Sequence, residues 1–208
     1  MIEKISKFLA FFLLLFNQSC NEQIKKRFLP TQKDFSKNNP GHTILTIQIV
    51  DKTSDDSLEQ VVFENIINKL DVDSANDDKE YEILKNMSLG RQSIFATRVI
   101  EDEVDNGGFN QYFYNSSGQY AEEARVGFEL IGASKHSMLT QRAMDIVLKN
   151  AKYLKQFKDG TLKSFSKSYE NNPFNEVDSL YYELEKTEDV AKLKIKYIRE
   201  HRDQFIDK

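Results

Sequence analysis

Apolar residues recur every three or four positions over most of this chain, the spacing of one face of an α-helix. The first such face runs through Leu58, Val62, Phe63, Ile66, Ile67 and Leu70, with Ser54, Asp55 and Asp56 ahead of it as capping residues. From Lys79 to Val104 the pattern continues through Ile83, Leu84, Met87, Ile94, Phe95, Val99, Ile100 and Val104, and Gly90 is where one helix would give way to the next. Ala121, Ala124, Phe128 and Ile131 form a helix face that stops at Gly132, a residue suited to a left-handed helix end. Leu139, Ala143, Val147, Ala151 and Leu154 predict another helix. After a polar break at Lys158–Pro173, Phe174, Val177, Tyr181 and Leu184 predict the next, and Ala191, Ile195, Ile198 and Phe205 the last. Ile44–Val50 is β-branched and partly alternating, which predicts one short strand or extended segment before the helices. No repeat of fixed period is present, so residues 42–208 read as an all-α domain, an irregular multi-helix bundle.

The first forty residues follow a different logic. Lys4 and Lys7 precede an unbroken apolar run, Phe8–Phe16, and Ser19 stands directly before Cys20. Nine apolar residues reach only about 14 Å as a helix, against a hydrocarbon core of about 30 Å, so a cleaved signal peptide over residues 1–19 fits better than a membrane anchor. The expectation is a lipoprotein-type signal with Cys20 as the acylated residue, although Asn17 stands where such signals usually carry Leu. Residues 20–41 then form a basic tether with Lys25, Lys26, Arg27, Lys33, Lys37, Pro30 and Pro40. This places the domain outside the cytoplasm, membrane-anchored at the cell envelope.

Composition narrows the function classes. With 39% hydrophobic and 30% charged residues the chain has a globular core, and fifteen Phe and nine Tyr without Trp supply much of its buried area. The single cysteine rules out an intramolecular disulfide. Asp51–Leu130 holds eighteen acidic and seven basic residues, whereas Ile131–Lys208 holds twelve and fifteen. A net −11 against +3 argues against a basic nucleic-acid groove and leaves two readings: a solvated acidic half-surface, or an acidic face that meets a basic partner.

The most distinctive stretch is Glu103-Val104-Asp105-Asn106-Gly107-Gly108-Phe109-Asn110-Gln111-Tyr112-Phe113-Tyr114-Asn115. A helix is expected to end near Val104, with a tight turn at Asn106-Gly107-Gly108. Phe109, Tyr112 and Phe113 then share one face of a short helix, which Asn115-Ser116-Ser117-Gly118 terminates. With Ile131-Gly132-Ala133 and Leu180-Tyr181-Tyr182 further on, this stretch resembles the signature of a bacterial DNA-mimic protein family, from about Ser57 to Phe205. The resemblance implies an all-α domain, often a homodimer, whose surface carboxylates imitate DNA phosphates and occupy a transcription factor. It does not imply catalysis.

Other chemistry finds little support. Asp71, Asp73 and Glu82 occupy places one, three and twelve of a calcium loop, but Ala75 cannot coordinate and Asn76 replaces the glycine of the turn, so no metal or cofactor is expected. His42, His136 and His201 are isolated and read as surface histidines or caps, and no catalytic signature occurs. The leading expectation is therefore a non-catalytic envelope lipoprotein whose helical domain binds a protein partner, without direct nucleic-acid contact. A cytosolic acidic DNA mimic is the alternative, and a carboxylate-dependent hydrolase around the Asn106-Gly107-Gly108 corner is a third. The candidate site residues are Glu103, Asn106, Gly107, Gly108, Phe109, Gln111, Tyr112, Phe113, Asn115 and Gly118.

Overall fold

The computed structural model describes residues 44–70 and 77–207. The segments expected to be a signal peptide and a tether, with Cys20, His42 and most of the calcium-like segment, lie outside the described residues. Ten α-helices follow in order: α1 Ile47–Lys52, α2 Asp55–Lys69, α3 Asp77–Lys85, α4 Leu89–Tyr114, α5 Ala121–Ile131, α6 Ser134–Lys149, α7 Ala151–Lys155, α8 Leu162–Ser168, α9 Asn175–Leu184 and α10 Val190–Glu200. Short 3₁₀ turns cover Ser116–Tyr120 and Arg202–Gln204. The all-α expectation holds. None of these helices is long and apolar enough to cross a membrane.

The long α4 is the spine, because its apolar residues are buried on every side rather than along one stripe. Helices α2, α5 and α9 pack on it, α6 packs on α5 and α9, and α10 lies on α2 and α5. Phe109, Tyr112, Phe128, Phe174 and Tyr181 are fully buried at these contacts, each contributing roughly 1.5–3 kcal/mol of transfer free energy. Gly132 ends α5 at φ 88°, and its N–H and that of Ala133 bond back to Glu129 and Phe128 carbonyls, closing the helix in the way its sequence predicts.

Five details differ from the sequence reading. Ile44–Val50 is not a strand: Ile47–Lys52 is helical, with the Thr46 hydroxyl accepting the Ile49 N–H at 3.3 Å. Among the described residues no strand is available to pair with it, and the segment instead ties down the C-terminus. The Leu45 N–H donates to the Asp207 carboxylate at 2.7 Å, and the Asp207 N–H donates to the Leu45 carbonyl at 2.8 Å. The division between α3 and α4 falls before Ser88, whose hydroxyl accepts the Arg91 N–H, so that Gly90 sits in the first turn of α4 beneath Phe205.

The stretch read as a polar break contains α8. Thr161 caps it by accepting the Ser164 N–H, while Asp159 accepts the Thr161 N–H and hydroxyl. With Phe165 as its main apolar anchor, at 4.7 Å from the Tyr114 ring, α8 has no periodicity to betray it. The stripe from Leu139 to Leu154 is broken at Asn150, whose side chain bonds the Ile146 carbonyl. Finally, α10 buries Val190, Lys194, Tyr197 and Ile198 and leaves Ala191 exposed.

The charge split of the sequence is folded onto itself. Arg199 pairs with Asp55 at 2.6 Å, Arg202 with Asp51 at 2.7 Å, and Lys194 with Glu59 at 2.8 Å and with Glu101. Basic residues of the C-terminal end thus neutralise acids of the first half. Four acids of the acidic stretch are paired in this way, and others, such as Asp56, Glu82 and Glu129, are exposed.

Candidate functional site

The distinctive stretch forms a bend in the middle of α4. Gly107 (φ −162°, ψ 24°) and Gly108 (φ 68°, ψ −179°) leave helical geometry, and the helix resumes at Phe109. The Gly108 conformation is one that only glycine adopts without strain. A Cβ on that residue would also stand 2.7 Å from an Asp178 carboxylate oxygen.

Breaking a helix orphans carbonyls on one side and amides on the other, and each must find a partner. The Val104 carbonyl accepts from the Tyr182 hydroxyl at 2.9 Å, and the Gly107 carbonyl from the Tyr169 hydroxyl at 2.8 Å. On the far side the Phe109 N–H donates to Asp178 at 2.8 Å. Burial lifts the Asp178 pKa against the pull of this bond and of the Asn172 amide. Asn110 is buried and donates to the Ser168 hydroxyl at 2.7 Å. The bend is thus clamped by α8, α9 and the loop between them.

Glu103 organises the next layer. Its carboxylate accepts from the Gln111 side chain at 2.8 Å, the Asn115 side chain at 2.9 Å and the Ser117 hydroxyl at 2.7 Å, spanning the bend and gripping the 3₁₀ turn beyond it. The end of α4 is closed by Lys158, whose ammonium donates to the Phe113 and Tyr114 carbonyls and lies 5.3 Å from the Tyr114 ring centre. Gly118 sits in the 3₁₀ turn against the Phe113 backbone.

Nine of the ten predicted site residues therefore share one structure. Glu103, Gln111 and Asn115 form its polar hub, Gly107 and Gly108 its bend. Phe109, Tyr112 and Phe113 are core aromatics: Phe109 meets Tyr181 edge-on at 5.7 Å and Phe113 stacks on Phe174 at 5.5 Å. Burial, with the Glu123 and Glu103 carboxylates nearby, pushes the Tyr112 phenol far up and keeps it neutral. Asn106 stands apart, exposed at the outside of the bend.

Sequence reasoning missed the clamping partners Asp178, Tyr169, Ser168 and Lys158, which lie 44 to 69 residues from what they hold. Of the clamp only Tyr182 carried a signal, as part of the aromatic Leu180-Tyr181-Tyr182. It also missed a carboxylate pair beside the bend. Asp105 and Glu185 are exposed and stand close enough to perturb each other's ionisation. Desolvation raises both pKa values, with Asp102 adding to Asp105 and Asp105 adding to Glu185.

His136 is not at the surface. It is buried at the start of α6 between Phe128 and Tyr181, and its Nδ1 lies 2.6 Å from Glu188. Desolvation lowers its pKa against the pull of Glu188, which also accepts the His136 N–H. His201 stacks on Tyr197 with its Nδ1 at 3.0 Å from the Tyr197 carbonyl. Among the described residues no three His, Cys, Asp or Glu side chains converge as a metal site.

Comparison with known proteins places these residues in context. A family model described as DMP19-like protein matches residues 85–201, a span that contains the bend, its clamp and the carboxylate pair. No curated protein and no solved structure matches the chain.

Proposed function

Because the chain belongs to the DMP19-like protein family, we propose that it is a non-catalytic interaction module. It is held at the cell envelope by a lipid on Cys20 and binds a protein partner of basic character. The observation that carries this reading is the use of the motif. Glu103, Gln111, Asn115 and Asp178 are all spent on holding the bent helix, so the distinctive residues present a shaped surface rather than reactive groups. What that bend turns outward is acidic: Asp105 and Glu185, with Asp102 beside them. Carboxylates that repel one another across an open surface gain stability when a cation comes between them.

The reading is tested in two steps. Intact-mass and membrane-fractionation analysis of wild type and Cys20→Ala establishes the anchor: wild type is cleaved, acylated and membrane-bound, and the variant is not. Crosslinking in envelope fractions then recovers a basic partner with wild type and loses it with Asp105→Asn/Glu185→Gln, while the thermal midpoint of the variant is no lower than that of wild type. A soluble, uncleaved, cytosolic chain that binds a DNA-binding protein in competition with duplex DNA would replace this reading with that of a DNA mimic. Turnover abolished by Glu103→Gln, in a fold that survives the change, would favour a hydrolase.

A further inference from the structure

Most cations of the described chain are neutralised within the fold. Arg91, Arg98, Arg125, Arg142, Arg199 and Arg202 all hold carboxylates, as do Lys69, Lys85, Lys186, Lys192 and Lys194. Lys52, Lys135 and Lys196 are single exceptions, and residues 149–167 gather the others in one segment. That segment contains six lysines and one acid, Asp159, whose carboxylate is occupied by Thr161. Lys158 caps the end of α4, but Lys149, Lys152, Lys155, Lys163 and Lys167 are exposed and form no ion pair among the described residues.

Lys149, Lys152 and Lys155 are spaced three apart from the end of α6 through α7, and Lys163 and Lys167 are one turn apart on α8. Between the two groups in the chain, Lys158 lies 5.3 Å from the centre of the Tyr114 ring, which the Phe165 ring of α8 meets at 4.7 Å. Apolar side chains are interleaved with them. Leu162 is 60% exposed, Tyr169 is exposed, and the half-buried Tyr153 and Phe157 rings meet at 5.0 Å.

We propose that this lysine face docks on an anionic phospholipid surface. The inference rests on the lipoprotein reading for its choice of occupant, since a chain anchored through Cys20 has the bilayer as its nearest polyanion. Charge complementarity and the interleaved aromatic and aliphatic groups match what an interfacial surface needs. The 23 residues between Cys20 and Ile44 give a reach of at most about 80 Å, ample for any orientation. Anchoring turns docking into an intramolecular event at high effective concentration, so a weak face suffices. Each lysine near an anionic leaflet strengthens binding roughly fivefold.

The experiment uses the full chain, purified from membranes and reconstituted into vesicles through its own N-terminal segment. Leu162→Cys carries an environment-sensitive fluorophore. In vesicles containing phosphatidylglycerol the label shifts to the blue and is quenched by quencher-bearing lipids. In pure phosphatidylcholine it is not, and about 0.5 M salt, where screening lengths fall below about 5 Å, reverses the effect. Changing the five lysines to Gln abolishes the shift, and changing them to Arg preserves it. A label indifferent to lipid charge, or a shift that survives the Gln variant, overturns the proposal. So does protection of the lysines by duplex DNA or an acidic protein but not by anionic vesicles. Label stoichiometry reads the anchor separately. One fluorophore per chain means that Cys20 is blocked, whereas two mean a free Cys20 and failure of the lipoprotein reading, whatever the vesicles show.

Discussion

Replacing Glu103 by Ala tests directly whether the motif is a structural clamp. Three donors lose their acceptor: the Gln111 amide at 2.8 Å, the Asn115 amide at 2.9 Å and the Ser117 hydroxyl at 2.7 Å. Hydrogen bonds to a charged group contribute about 1.5–3 kcal/mol each. Asn115 is half-exposed and recovers water, but Gln111 and Ser117 are buried and do not. The expected loss is therefore about 3–4 kcal/mol, a large part of the roughly 5–15 kcal/mol that holds a domain together. For a domain of this size that corresponds to a fall of roughly 10 °C in the thermal midpoint. Urea unfolding followed by circular dichroism measures it. Because Glu103 and Gln111 act through one bond, Glu103→Ala and Gln111→Ala should be less than additive by at least about 1 kcal/mol in a double-mutant cycle. A loss below about 1 kcal/mol with full additivity would refute the clamp and return Glu103 to the list of candidate reactive groups.

Gly108→Ala should cost about 2–4 kcal/mol, because it adds φ-angle strain to a contact with Asp178. Asp178→Ala on that background should relieve part of the loss, read from the same urea curves. Lys194→Met takes from Glu101 its bound ammonium and leaves Glu59 only the more distant Arg98 at 3.6 Å, and should cost about 3 kcal/mol at neutral pH. Burial already raises the Glu101 pKa, with Lys194 opposing it, so the deficit should shrink as pH falls and Glu101 is protonated. Asp207, despite desolvation, is held down to about 2 by donors from Leu45, Lys69, Asn65 and Arg91. Its contribution is complete above the ordinary Asp range and is lost as pH falls towards 2, so Asp207→Asn should flatten the acid limb of a stability–pH curve. Asp105 and Glu185 have the opposite sign. Their raised pKa values make wild type gain stability as pH is lowered from neutrality towards the ordinary carboxylate range, and Glu185→Gln should remove that gain in urea midpoints measured across it.

Helices whose apolar stripe faces a neighbour were legible in the sequence: Leu58, Val62 and Ile66 on α2, and Ala121, Ala124 and Phe128 on α5, are all buried. Helices held by one anchor and a cap were not. The α8 helix rests on Phe165 and the Thr161 hydroxyl, and α1 on Thr46 and the Asp207 hub, features that leave no period to read. The bend was legible because glycine pairs and aromatics at helical spacing have local causes. Its clamp was not, since nothing near Gly108 in sequence announces that Asp178 will accept the Phe109 amide. The match of residues 85–201 to a family model covers both the bend and its clamp.

Net charge is a poor guide to what this domain can attract, and the fold shows why. A chain whose first half is strongly acidic would be expected to display that charge, yet Asp51, Asp55, Glu59 and Glu101 are spent against Arg202, Arg199 and Lys194. Charge consumed in such pairs steers nothing at a distance beyond a screening length. Among the charges outside those pairs are Asp105 and Glu185 at the bend, and five lysines of α6, α7 and α8. Two patches of opposite sign allow an anchored domain to rest one face on an anionic bilayer while offering the other to a basic partner. The two contacts would then weaken together as salt is raised but separate under mutation, since Asp105→Asn/Glu185→Gln touches only the partner and the lysine variants only the membrane.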